Sequence, residues 1–151
     1  FITGITGKKN YSVVSVSKKR MSEETGYVRR VLEIFERYHL SIDHIPTAVD
    51  SFSVVLSTKQ LTECQHRLIA DIEKECEPDS VKVRDGLSLV AIVGRRMAYS
   101  KGVSGKVFAT LGLNGINIRL IEQDADEIEI VIGVMNSDFE PTIRTLYSSF
   151  T

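Results

Sequence analysis

The chain has 151 residues, 42% of them hydrophobic and 26% charged, with a formal net charge of −1. This is an ordinary globular composition, with apolar material enough for one large domain or two small ones. The near-neutral balance gives no electrostatic reason to expect nucleic acid or an anionic membrane as partner, and no apolar run approaches the ~18 residues that cross a bilayer.

The first stretch, "FITGITGKKN", starts without Met, lacks a signal-peptide pattern and is already strand-like. It reads as the beginning of a segment cut from a longer protein. Next, "YSVVSVS" is a short β-branched run bounded by a polar turn, hence a strand. From Gly26 to His39, Val28, Val31, Leu32 and Phe35 fall at helical spacing. "LSIDHI" (40–45) and "SFSVVLS" (51–57) are predicted strands on either side of a turn around Pro46. Leu61, Leu68 and Ile72 mark a second helix, and "SVKVRDG" after Pro78 is a further strand. The order is βαββαβ. Cys64 and Cys76 flank this second helix without metal-type spacing, so reduced thiols in a cytoplasmic protein are expected.

The second half repeats the first. At an offset of 76, "YSVVSVSKKRM" lies over "LSLVAIVGRRM", Gly26 over Gly102, Val31 over Val107, and Phe35 over Leu111. Leu40, Ile42 and Ile45 meet Ile116, Ile118 and Ile121, and "SVVL" meets "EIVI". Self-similarity over this distance signals a duplicated unit. Copy two predicts a strand at 88–93, a helix at 103–113, strands at 116–122 and 127–134, and a helix at 139–149. Asn114-Gly115 is a helix-stopping pair. Copy two therefore lacks a sixth element.

The fold class expected is α+β: two ferredoxin-like βαββαβ units, each a four-stranded antiparallel sheet with two helices on one face. Residues 11–86 form the first unit. Residues 87–151 form the second, with residues 1–7 as its missing strand, so that the first unit is inserted in the second. The alternative is a frayed terminus with Ile2 and Ile5 exposed.

Few residues nominate chemistry. "GVSGK" (102–106) lacks the spacing and the Ser/Thr of a phosphate loop. No two of His39, His44 and His66 are four apart, which disfavours a metal site. Glu23-Glu24 and Asp124/Asp126/Glu127 read as solvated turns. RNA binding through central-strand aromatics has only Tyr11 and Phe52 to offer, with no basic stripe. No catalytic residue is assigned.

The duplicated turns "MSEETGY" and "MAYSKGV" each run from a strand into a helix that begins with glycine. The first amides of a helix have no partner within it and carry partial positive charge, which suits a carboxylate. In copy one Gly26, Tyr27 and Val28 would offer those amides, and Asp43 on the adjacent strand would take an ammonium. A carboxylate at one end and a cation at the other describe an amino acid, here a basic one. Copy two puts Arg119 at the place of Asp43 and Asn117 at that of Ser41, so the copies should differ in function. Ordinary helix capping would account for both turns equally well on residues alone.

The phrases "ITGITGKKNYSVVSV" and "GVSGKVFATLGLNGINIRLIEQDADEIEIVIGV" are similar to the strand and helix signatures of the aspartate kinase family. Nearly all of the chain resembles the C-terminal regulatory region, with its tandem ACT domains. The resemblance implies an inserted ACT unit and feedback control: an end product, lysine or threonine, binds at a dimer interface and inhibits phosphorylation of aspartate by ATP. The kinase domain, with its ATP and Mg, has no counterpart in these residues, so no enzyme activity and no cofactor are expected of them.

Carried over from the family, lysine-binding positions would be Met21, Gly26, Tyr27, Val28, Ser41, Ile42, Asp43 and Thr47, with a weaker second site at Gly102, Val103, Ser104 and Asn117. Glu24 departs from the small hydroxyl residue often found at its position, and would repel a ligand carboxylate. "QDADE" departs from the "QGSSE"-like turn of relatives. The partners implied are the amino-acid effector, the chain's own kinase domain and a second copy, with no nucleic acid and no membrane. The rival readings are a dimerisation module that senses nothing, a threonine-sensing pair, and a free-standing amino-acid-responsive ACT protein.

Overall fold

The computed structural model describes residues 2–95, 101–123 and 129–150. The elements are β1 (Ile2–Ser17), a 3-10 turn (Met21–Glu23), α1 (Tyr27–Arg37), β2 (Ser51–Ser57), α2 (Thr58–Thr62), α3 (Gln65–Cys76), β3 (Ser80–Gly94), α4 (Val103–Leu113), β4 (Leu120–Gln123), β5 (Glu129–Met135), a 3-10 turn (Asn136–Asp138) and α5 (Phe139–Phe150). They divide into two compact units, Asn10–Asp85 and Phe1–Lys9 with Gly86–Thr151. The long strands β1 and β3 each give one part to one unit and the rest to the other. Among the described residues no helix is long and apolar enough to cross a membrane.

In the inserted unit, Asn10–Asp85, β1 lies between β2 and β3. Its pairing with β2 is antiparallel, Val14 opposite Val54 and Val16 opposite Phe52. Asp79 N donates to Ser17 O (2.8 Å) and Ser12 Oγ to Asp85 Oδ1 (2.5 Å), so β3 runs against β1 as well. The fourth position is held by residues 43–47, which touch β2 through bridges at His44 and Thr47. Val14, Val16, Val54 and Leu56 turn to one face and pack under Val31, Ile34 and Phe35 of α1 and Leu68 and Ile72 of α3.

The other unit repeats the plan with β1, β3, β5 and β4 in that order. Val90 pairs with Ile132 and Ile92 with Ile130. Thr3 Oγ1 donates to Val93 O (3.2 Å), and Gly7 lies against Leu89 O. Ile5 is 7% exposed and joins Val90, Ile92, Val107, Leu111, Ile132 and Leu146 in the core, with Ile2 packed at its margin. Core positions 76 apart, such as Val14 and Val90 or Phe35 and Leu111, are fully buried in both units. So are Ser12 and Ser88, whose hydroxyls bond Thr58 Oγ1 and Asn136 Oδ1 (both 2.7 Å).

Several elements differ from the sequence expectations. "LSIDHI" makes isolated bridges instead of a strand: Pro46 has no amide to donate and the segment is the outermost of its sheet. The strand expected at 116–122 begins only at Leu120. The second helix is split between Thr62 and Gln65, with Leu61 and Leu68 each fully buried on its own piece. Residues 2–7 and 11–17 form one uninterrupted strand, not two. The start of "MAYSKGV", the acids Asp124, Asp126 and Glu127, and residues 127–128 of a predicted strand lie outside the described residues.

Candidate functional site

After β1 the chain turns sharply. Arg20 is left-handed (φ 61°), the 3-10 turn follows, and Gly26 (φ 77°) opens α1. Only glycine takes such a φ without side-chain strain. Met21 and Tyr27 pin the turn by burying into the core beneath it. Arg30 N makes the first intrahelical bond, to Gly26 O (3.0 Å), and no side chain caps the helix. The amides of Val28 and Arg29 precede that bond. Of the three amides expected to receive a carboxylate, Tyr27 N is already given to Glu24 O (3.2 Å).

The charges around this turn form a closed set. Glu24 Oε1 faces Lys18 Nζ (3.4 Å) and Oε2 is bonded by Arg30 Nη2. Lys18 also donates to Cys76 O (3.3 Å), and Arg30 to Thr25 O (3.4 Å). Both cations lie against the Tyr27 ring, 5.0 and 5.5 Å from its centre, within cation–π range. The Tyr27 hydroxyl is buried without a hydrogen-bond partner. Burial, reinforced by Cys76 and Glu24 nearby, pushes its pKa up to about 12. Glu24 is therefore an ion-paired carboxylate.

The second set of predicted residues lies on the edge segment. Ser41 is held by Gln60, whose Oε1 accepts from Ser41 N (2.8 Å) and whose Nε2 donates to Ser41 O (3.4 Å). Ile42 packs against the core. Asp43 N (2.9 Å) and His44 N (3.4 Å) both donate to Val55 O, and Val55 N donates back to His44 O (2.9 Å). Two residues against one is a β-bulge, a device that re-aims side chains. It leaves Asp43 exposed. Tyr11, on the sheet face opposite Val14 and Val16, has its phenol pushed up by burial and by the charge of Asp43.

The structure thus brings Met21, Gly26, Tyr27 and Val28 together in one turn, and Ser41, Ile42, Asp43 and Thr47 on one edge. Thr47 bridges to Phe52, at the level of Val16, whereas Asp43 stands at the level of Val13. That is three residues farther from the turn, about 10 Å along a strand.

In copy two, Gly102 (φ 78°) repeats the left-handed cap, and Lys106 N bonds Gly102 O (3.0 Å). Val103 and Ser104 are half-buried, and Asn117 is exposed. Arg119 N donates to Gly133 O (2.7 Å) while Leu120 pairs with Gly133. This repeats the pairing of copy one, where His44 meets Val55, except that β5 follows at an offset of 78 and not 76, so that Gly133 stands where Val55 does and "SVVL" does not fall on "EIVI" as expected. Among the described residues no cluster of three or more His, Cys, Asp or Glu could hold a metal, and both cysteines are buried and free.

Sequence reasoning missed Lys18, Arg30 and Gln60. Their roles arise only when the Gly26 turn and the α2 start fold back, and no spacing rule reports that.

Residues 90–150 match the ACT domain family model. Along its whole length the chain is similar to part of several aspartokinases. It is 28% identical over 150 residues to aspartokinase 3 of Bacillus subtilis, covering 99% of this chain and 33% of that protein. The aspartate kinase of Clostridium acetobutylicum, described as an allosteric enzyme, superposes with a TM-score of 0.97 at 39% identity, over 100% of this chain and 35% of that one. Escherichia coli aspartokinase III, solved in complex with lysine and aspartate, gives a TM-score of 0.81 at 25% identity, over 99% and 33%. The chain spans about a third of the length of these relatives.

Proposed function

We propose that this chain is the allosteric regulatory region of an aspartate kinase. An end-product amino acid, lysine by preference, binds copy one and restrains phosphorylation of aspartate by ATP and Mg in the kinase part of a cytoplasmic enzyme. The observation that carries this reading is the pairing of a preformed turn, with Val28 and Arg29 amides open, and a bulged edge that holds Asp43 out to solvent. The solved E. coli relative with lysine bound supports the choice of effector.

The site lies at a dimer interface, where Asp43, exposed on the outermost segment of the sheet, is within reach of a second copy. Met21, Tyr27, Ser41, Ile42 and Thr47 then shape the walls. Copy two, with Arg119 in place of Asp43, would repel a cationic side chain, so Gly102, Val103, Ser104 and Asn117 hold no lysine. By linkage, the inactive state of the kinase is the one that holds lysine more tightly.

Calorimetric titration tests this. Wild type should give heat with lysine. Asp43→Ala should lose at least tenfold in affinity with its circular dichroism unchanged, since a charge-assisted bond contributes about 1.5–3 kcal/mol. No heat with either lysine or threonine at millimolar concentration would exclude the sensing role. A purely dimer-forming module is the second reading, favoured by the exposed edge residues Ile45 and Val49. It predicts that Asp43→Ala changes nothing.

A further inference from the structure

We propose that Glu24 is a tethered occupant of an anion clamp at the start of α1, and that it sets how tightly copy one takes a ligand carboxylate. The inference rests on the amino-acid-binding reading above. Lys18 and Arg30 each hold a different oxygen of the Glu24 carboxylate. Both lie on the Tyr27 ring, and the turn they flank ends in the amides of Val28 and Arg29. Two full cations and the positive end of an eleven-residue helix face the Glu24 carboxylate, with Asp79, bonded by Lys19 N (2.7 Å), a further anion near the Tyr27 ring.

The clamp is also open to exchange. The Glu24 side chain is 38% exposed and Arg30 37%, while Lys18 is the more buried at 22%. Glu24 can swing outward and surrender its partners while Lys18 stays in place. The buried Tyr27 hydroxyl beneath has no partner of its own. An incoming α-carboxylate that displaced Glu24 would meet the same two cations and the open amides together. Because Glu24 is joined to the turn by its own backbone, it competes at a high effective concentration. It also favours ligands whose remaining contacts offset the displacement.

Copy two lacks the device. Gly94, Val103 and Lys106 stand 76 positions after Lys18, Tyr27 and Arg30, and the sequence has Ser100 at the place of Glu24. The clamp belongs to one copy and is not part of the shared fold.

The test compares L-lysine with L-lysinamide, which keeps both amines and lacks the carboxylate, by calorimetry on the 151-residue chain. Glu24→Gln and Glu24→Ser should bind lysine on the order of tenfold more tightly than wild type, with lysinamide unchanged. Adding Lys18→Met should abolish the gain. Thermal unfolding of each variant confirms the fold, and two replacements guard against one that fails to fold. If wild type binds lysine and neither Glu24 variant binds it more tightly, or lysinamide gains as much, the clamp is refuted while the sensing role stands. If no protein in the series binds lysine, both fall.

Discussion

The two units share a backbone plan and a set of core positions, and differ in the chemistry laid over them. In the inserted unit the helix layer is stitched by charge: Arg37 makes a two-pronged contact with Glu75 (2.6 and 2.9 Å) and approaches Asp71 (3.6 Å). Tyr38 bonds Asp71 as well, and Arg67 stacks on Tyr38 at 6.0 Å. The place of Arg37 in the other unit is taken by Leu113, 88% exposed. The turn before the first helix and the edge opposite Asp43 diverge in the same way. A duplicated core tolerates such drift because Val14, Phe35 and Leu56 and their counterparts satisfy the packing. The surface is then free to specialise.

The largest test of that comparison is removal of the matched core residues. Phe35→Ala should cost about 3–5 kcal/mol and Leu111→Ala about 2–5 kcal/mol in chemical denaturation. Equivalent positions should thus give comparable losses. A negligible loss at either would show that the two cores are not equivalent.

A second, smaller effect concerns the terminal strand. A methyl added at Gly7 would stand 2.6 Å from Phe139 Cε1 and 3.2 Å from Leu89 O. Gly7→Ala should therefore destabilise the unit by about 1–3 kcal/mol through overpacking. An unchanged denaturation midpoint would mean that the strand contributes little there.

The charged helix layer makes a prediction in pH. The hydrogen bond from Arg37 holds the Glu75 carboxyl below its ordinary 4.5. Since the folded value is the lower one, this contribution is complete above 4.5 and vanishes as pH falls through the depressed value. Arg37→Met should flatten that acid limb, read as Tm from about pH 6 to about pH 2, whereas Leu113→Met should leave its slope unchanged. An unaltered slope in Arg37→Met would remove the pair from the account.

The smallest effect lies at the first helix end. His39 (φ 56°) occupies the left-handed position that Gly115 (φ 75°) fills in the other unit. In both, the following amide reaches back, Leu40 N to Phe35 O (3.2 Å) and Ile116 N to Leu111 O (3.0 Å). His39→Gly should gain up to about 1 kcal/mol, because relief of the left-handed strain outweighs the added chain entropy. A loss of stability would show that the histidine side chain makes compensating contacts.

How much of this was legible in the sequence depends on the range of each interaction. The helices at Val31–Phe35 and Val107–Leu111 and the strands around Val14 and Ile132 follow from local periodicity, which the duplication reinforces. The stop at Asn114-Gly115 follows from turn chemistry. The edge segment did not: whether "LSIDHI" pairs as a strand depends on Pro46 and on a bulge against Val55, neither of which leaves a periodic trace. At the candidate site, the glycine turn and Asp43 could be picked out, but not the seizure of Glu24 by Lys18 and Arg30. That contact joins residues from a strand end, a turn and a helix.

The inserted unit is contiguous in the chain and both its ends lie within it on neighbouring strands, where Ser12 meets Asp85. It can therefore be excised by two cuts, after Lys9 and before Gly86, and made by itself. What remains would close with a tight hairpin joining residue 9 to residue 86. A gene arranged in this way can trade its inserted half for another without redesigning the half that hosts it.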